Sequence, residues 1–156
     1  MSGRDRSSDL RVQPATIRMI RDVMRLERLC FKEDAWPWVD VASVLVWPSV
    51  VRLGALDGRE LIGFVAGDRR WRPRTGMIAT LAVHPAYRRR GVARRLLSEC
   101  EAQLGAPVIR LTVRVDNLPA IALYESAGYQ RRETLAGYYA EGVAGLMMEK
   151  VGSRLD

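Results

Sequence analysis

Val83-His84-Pro85-Ala86-Tyr87-Arg88-Arg89-Arg90-Gly91-Val92-Ala93-Arg94 joins an apolar run to an amphipathic helix, and its reading decides the fold. The preceding Ile78-Ala79-Thr80-Leu81-Ala82-Val83 has the length and β-branching of a buried strand, which Pro85 stops because proline cannot donate to a ladder. Ala93, Leu96, Leu97, Cys100 and Leu104 then recur at three- and four-residue steps, the spacing of one helix face. Gly91 falls in the first turn of that helix. A side chain there would block close approach, while the unsatisfied amides of residues 89 to 94 carry a partial positive charge. Arg88, Arg89 and Arg90 add formal charge, and guanidinium groups match phosphate oxygens in a fork. The stretch reads as an anion cradle suited to a pyrophosphate. It is neither a Walker motif, lacking Gly-Lys-Ser/Thr, nor a Rossmann fingerprint, lacking Gly-x-Gly-x-x-Gly.

A chain of 156 residues fits one domain with a real core, and the expected division is a disordered polar tail over 1–8 and a single domain over 9–151. Two cysteines, Cys30 and Cys100, form no secreted disulfide framework, which points to a reducing compartment. The polar start and the lack of a long apolar run predict a cytoplasmic protein with no membrane segment. The formal charge of +7 favours phosphate-bearing partners, but the arginines are dispersed and no aromatic-interleaved basic motif accompanies them. Direct nucleic-acid binding is therefore not expected. His84 is the only histidine, which excludes a multi-histidine metal site. A monomer and a dimer stay equally open.

Leu10-Arg11-Val12 alternates like a short strand, and Pro14 suits the start of a helix running to about Leu29, with Ile17, Ile20, Val23 and Met24 facing inward. Phe31 to Trp38 packs three large aromatics around Pro37, as a hydrophobic plug or a wall of a substrate pocket. A short helix follows from Asp40 to Val46. Val50 to Leu56 and Glu60 to Gly67 then read as strands around a tight Asp57-Gly58 turn, and Arg69 to Arg74 as a second hairpin loop. Beyond the cradle helix, Ile109, Leu111, Val113 and Val115 alternate with polar residues in a strand parallel to the one before the helix. That strand, helix, strand unit puts the cradle at the carboxyl ends of its strands. Asn117 suits an N-cap for a helix ending near Gly128, and two last strands flank the loop Leu135 to Gly142.

Arg88-x-x-Gly91-x-Ala93 and Asn117-x-x-Ala120-x-x-Leu123-Tyr124-Glu125-x-x-Gly128-Tyr129 together resemble the two motif blocks of the GCN5-related N-acetyltransferases. Ala35-Trp36-Pro37-Trp38 and Tyr138-Tyr139 make the chain most similar, within that family, to protein N-terminal acetyltransferases of the ribosomal-protein alanine type. The resemblance implies an α/β fold with a mixed, mostly antiparallel central sheet, a splayed parallel strand pair and about four flanking helices. It implies an enzyme that moves an acetyl group from acetyl-CoA to a primary amine by direct attack in a ternary complex. Leu81, Ala82 and Val83 match the strand that bonds the pantetheine arm; Arg88, Arg89, Arg90, Gly91, Val92, Ala93 and Arg94 match the pyrophosphate loop; Asn117 matches a contact to the arm. Tyr124 matches the residue that protonates the departing thiolate, and a phenol with pKa about 10 can do so at neutral pH. Phe31, Glu33, Trp36, Tyr138 and Tyr139 are the expected acceptor contacts.

The chain departs from the pattern at Thr112, where ribosomal-type relatives carry a glutamate that acts as base, and Met77 stands where other relatives place a tyrosine. Glu33, Asp34, His84 and a chain of ordered waters are the alternatives. The implied acceptor is the N-terminal α-amine of a protein or peptide. A small-molecule amine, or a non-catalytic module that binds acyl-CoA, are the other readings.

Overall fold

The computed structural model describes residues 10–152, so the expected tail over 1–8 lies outside the described residues. Asp57-Gly58 forms the turn expected between β2 (Val50–Asp57) and β3 (Glu60–Arg72), with Gly58 in the left-handed region at φ 61°. β3 pairs on its other side with β4 (Thr75–Val83), also antiparallel. The expected loop Arg69 to Arg74 is mostly strand, because both strands run on past the helix-covered core, where their side chains are exposed and lose apolar alternation.

β1 (Leu10–Pro14) pairs antiparallel with β2 and forms one edge of the sheet. Pro14 ends that strand instead of opening a helix, a position an edge tolerates because an outward-facing N–H is dispensable. A 3-10 turn over Ile17–Met19 intervenes before α1 (Ile20–Phe31), which leaves Ile17 exposed and turns Val23 and Leu26 inward. α2 (Trp38–Val46) begins two residues earlier than expected, directly after Pro37.

α3 (Val92–Leu104) follows the cradle, β5 (Val108–Arg114) follows α3, and α4 (Leu118–Ser126) is capped by the Asn117 side chain, which accepts from the Ala120 amide at 3.3 Å. β6 (Gln130–Leu135) and β7 (Gly145–Val151) complete a seven-stranded sheet in the order β1-β2-β3-β4-β5-β7-β6, in which β4–β5 is the parallel pair. α1 and α2 cover one face; α3 and α4 cover the other. This is the expected mixed sheet with four helices. Val92, Leu96, Leu97, Cys100 and Leu104 of α3 are buried, each large side chain contributing about 1.5–3 kcal/mol relative to exposure. Gly63 lets α3 approach β3 closely, since a Cβ there would lie 2.8 Å from Leu96 Cδ1.

Two irregularities in β4 shape what lies between the helices. Its parallel pairing with β5 is confined to Thr75–Met77 against Val108–Arg110, so residues 78–83 and 111–114 diverge. Ala66 of β3 opposes Thr80 while Gly67 opposes Ile78, which leaves Ala79 as the extra residue of a bulge. Alternation therefore slips by one at Ala79. Ile78 and Val83 pack in the α3 core, while Ala82 packs in the α1 core beside the buried Thr80.

Candidate active site

The cradle is built as a turn of two left-handed residues. Arg89 (φ 63°) and Gly91 (φ 77°) bracket Arg90, a backbone alternation that aims successive amides at one point. The first helical bond of α3 runs from Arg95 N–H to Gly91 O at 3.0 Å, so the amides of Val92, Ala93 and Arg94 precede the ladder and keep donors for an anion. Val92 contributes main chain only, since its side chain is 4 % exposed and belongs to the core. Arg88 Nε donates to Val83 O at 3.3 Å and ties the turn to the end of β4.

From this turn a cleft runs along the diverging strands. Leu81, Ala82, Val83, Arg88, Arg89, Gly91, Val92, Ala93, Arg94 and Asn117 all line it. Arg90 does not: its guanidinium lies over the Tyr87 ring at 5.3 Å. Where β4 and β5 separate, their facing main-chain groups lack strand partners, as a ligand arm carrying amides requires. The turn and the gap thus fit a nucleotide pyrophosphate with an extended amide tail.

Tyr124 is 8 % exposed and lines both this cleft and a second cavity on the α1 side of the sheet. Burial pushes its phenol up to about 12. Its ring packs edge-on to Tyr129 at 5.8 Å, and its hydroxyl has no hydrogen-bond partner among the described residues.

Phe31, Trp36, Tyr138 and Tyr139 of the expected acceptor contacts come together in the second cavity, with Thr112 and Met77 on its wall. Trp38 does not join them; it is 64 % exposed on α2. Glu33 is exposed and lines neither cavity. Tyr139 donates its hydroxyl to Thr112 O at 2.9 Å and stacks edge-on with Tyr138 at 4.9 Å. Asp34 crosses the cavity mouth: Oδ2 accepts from Arg114 Nη1 at 2.6 Å and Oδ1 from the Ala140 amide at 2.8 Å. Its carboxylate thereby clasps the loop after α1 to β5 and to the loop between β6 and β7. His84 caps a short turn at the strand end, Nδ1 accepting from the Ala86 amide at 3.1 Å, and lines neither cavity.

Glu27 lines the second cavity and was not among the residues expected from sequence. It is 1 % exposed on α1, and Oε1 accepts from Thr80 Oγ1 at 2.6 Å. Burial raises its pKa from the ordinary carboxylate value, against the lowering effect of the Thr80 hydroxyl and of the Trp36 amide, which approaches the carboxylate without forming a hydrogen bond. Glu27 sits among Arg21, Asp22, Arg25 and Arg28, so it reads as one more charge on a solvated helix. The legible signal is spacing, because Val23, Glu27 and Phe31 recur every four residues on the inward stripe.

Residues 20–129 match the acetyltransferase (GNAT) family. The chain belongs to that family. The N-alpha-acetyltransferase RimI of Mycobacterium tuberculosis is 38 % identical over 109 residues, covering 69 % of each chain. An N-alpha-acetyltransferase of Saccharolobus solfataricus is 27 % identical over 164 residues, 96 % of this chain and 98 % of that one. The ribosomal-protein-S18-alanine N-acetyltransferase of Escherichia coli superposes with a TM-score of 0.81 at 22 % identity, over 94 % of this chain and 99 % of that one. The Arabidopsis thaliana NAA60 structure with acetyl-CoA superposes at 0.80 with 21 % identity, over 91 % and 98 %. The chain is thus a GNAT acetyltransferase, and structures of the same fold hold acetyl-CoA or CoA.

Among the described residues no group of three or more histidine, cysteine, aspartate or glutamate side chains is placed to hold a metal, and no helix is long and apolar enough to cross a membrane.

Proposed function

We propose that the chain transfers an acetyl group from acetyl-CoA to the N-terminal α-amine of a protein or peptide. The observation that carries this reading is the charge of the acceptor cavity. Among the described residues its only carboxylates are Glu27, which is buried against Thr80, and Asp34, which is spent on Arg114 and the Ala140 amide. A polyamine would find no solvent-exposed, unpaired anion there, because Glu27 is 1 % exposed and Asp34 is paired, whereas a single amine followed by a peptide backbone meets aromatic walls. Exposed Tyr138 and the half-buried Phe31 and Trp36 frame a mouth through which a chain can leave. The names of the relatives in Mycobacterium and Saccharolobus support the same acceptor class.

Acetyl-CoA supplies the activated acetyl group as a thioester. The amides of residues 92–94 with Arg88, Arg89 and Arg94 hold the pyrophosphate, and the unpaired edges of β4 and β5 receive the pantetheine amides. Tyr124 donates its proton to the departing thiolate. An α-amine with pKa about 8 is roughly a tenth neutral at pH 7, against about one part in a few thousand for a lysine, so the site asks less of its base with the former.

The test is thiol release from acetyl-CoA with a peptide library varied at its first residue, alongside blocked peptides with an internal lysine and small amines. Turnover confined to free peptide N-termini is the expected result. Turnover of small amines with no peptide accepted would refute the acceptor.

A further inference from the structure

The proton leaving the acceptor amine needs a destination, and three of the side chains considered from sequence are otherwise engaged. Glu33 points to solvent, Asp34 neutralises Arg114, and His84 caps a turn outside the cavity. Thr112 has no basic group. One buried carboxylate remains, and it is incompletely bonded: Glu27 Oε2 has no hydrogen-bond partner among the described residues, while Oε1 takes the Thr80 hydroxyl at 2.6 Å. An orphaned carboxylate oxygen in a core is costly and calls for a role. Helix α1 spends a fully buried position on it, beside the wall of the acceptor cavity.

Thr80 connects the two. The bulge at Ala79 turns it toward α1, where its hydroxyl hydrogen-bonds the carboxylate, and both residues line the cavity.

We propose that Thr80 and Glu27 form the proton relay of the acetyl transfer, with Thr80 the residue that touches the amine and Glu27 the terminal acceptor. As the amine nitrogen bonds to the acetyl carbon and the thioester C–S bond breaks, the nitrogen gives a proton to Thr80 Oγ1. Thr80 passes its own proton to Glu27, and Tyr124 gives one to sulfur. Glu27 later loses its proton to solvent and Tyr124 regains one, so the cycle balances. The raised carboxylate is suited to the task, since a base works best when its pKa approaches the working pH. The groups facing Glu27 are Cys30 on α1 and, around the cavity, the paired Asp34 and Arg114 with Tyr124, Tyr138 and Tyr139. Burial raises the Cys30 thiol, with a further contribution from Glu27, and raises the Tyr124 and Tyr139 phenols, so among the protein's own groups the acid limb of activity is assigned to Glu27, beside the titration of the acceptor amine itself.

The inference rests on acetyl transfer at this site and not on the choice of acceptor, so the assay uses whichever amine the wild type turns over best. Glu27→Gln and Thr80→Val are each expected to lower kcat about 100-fold or more, with both KM values within about threefold. Thr80→Ser keeps the hydroxyl and is expected to stay within about fivefold of wild type. The component of the kcat acid limb that does not follow the acceptor's own pKa, separated by comparing two acceptors of different amine pKa, persists in Thr80→Ser and disappears in Glu27→Gln, a readout that a purely structural role would not move. Should Glu27→Gln fail to melt cooperatively, Glu27→Asp is expected to keep the limb at a reduced rate. Thr80→Val matching Thr80→Ser, or Glu27→Gln retaining the acceptor-independent component of the limb, would overturn the relay. A panel in which small amines react and peptides do not would refute the acceptor while these ratios still decide the relay.

Discussion

Replacing Tyr124 by phenylalanine removes one oxygen and leaves the ring in its core, edge-on to Tyr129. The hydroxyl has no partner among the described residues, so no buried hydrogen bond is broken, and a melt within a few degrees of wild type is expected. The chemical effect is larger. Without a positioned acid the sulfur must leave as a thiolate, and kcat is expected to fall by about 10²–10⁴, or roughly 3–5 kcal/mol of barrier, with KM for acetyl-CoA unchanged. Burial adds a second signature. With its phenol pushed up to about 12, Tyr124 keeps its proton far above the ordinary tyrosine range, so the wild-type basic limb should show no inflection from it near pH 10. Stability follows the same proton. The folded chain holds it while the unfolded chain releases it near pH 10, so the contribution is complete below about 10 and lost by about 12, on the order of 2–3 kcal/mol. Steady-state thiol release across pH, paired with denaturant melts of both proteins, reads both effects. A Tyr124→Phe enzyme within threefold of wild-type kcat, or a basic limb near 10 that vanishes in the variant, would refute the reasoning.

Asp34→Ala opens the clasp over the acceptor cavity; loss of a charged pair and an amide bond is expected to cost about 2 kcal/mol in a denaturant melt and to raise acceptor KM while sparing that for acetyl-CoA. Gly91→Ala forces a side chain into the left-handed region at φ 77°, roughly 1–2 kcal/mol, and calorimetry should show acetyl-CoA binding weakened by about tenfold. His84→Ala loses a turn cap worth about 1 kcal/mol and should leave kcat and its acid limb intact; a lost limb would move the proton acceptor to the end of β4.

How much of this was legible follows from where each signal lives. The cradle was readable because a strand, a proline stop, a glycine that must adopt positive φ and an amphipathic helix are all local. The Asn117 cap and the Asp57-Gly58 turn were readable for the same reason. Pro14 misled because proline serves both a helix start and an edge strand, and only the sheet decides between them. Arg69 to Arg74 looked like a loop because strand ends outside the core keep no apolar alternation. The bulge at Ala79 has no residue signature at all, being a relation between two strands. Glu27 was hidden by composition, since burial of one charge among five is a property of what α1 packs against. Glu33, a chain neighbour of Asp34, shows the converse: adjacency in sequence did not bring it to the cavity.

The two faces of the sheet explain why the proposed acid and base come from different elements. Tyr124 belongs to α4, on the α3 side, and packs with the core there; Glu27 belongs to α1 and packs on the other side. In an intact sheet no substrate could meet both. β4 and β5 pair over only three residues, and beyond Met77 the gap joins the donor cleft to the acceptor cavity, with Tyr124 lining each. An amine that enters from the α1 side and a thiolate that departs toward α4 then travel in one direction through the sheet. The proton released by the first and the proton required by the second lie at opposite ends of that path. A glutamate on β5 would serve the same end from the neighbouring wall, since Thr112 faces away from Leu111 and Val113 and their α3-side core. With threonine there, the bulge at Ala79 offers the other route: by turning Thr80 toward α1 it hydrogen-bonds a hydroxyl to a carboxylate on the same face, at the wall of the cavity. Divergence of the strands and slippage of alternation within β4 are thus two consequences of one strand's irregularity, and the chemistry proposed here needs both.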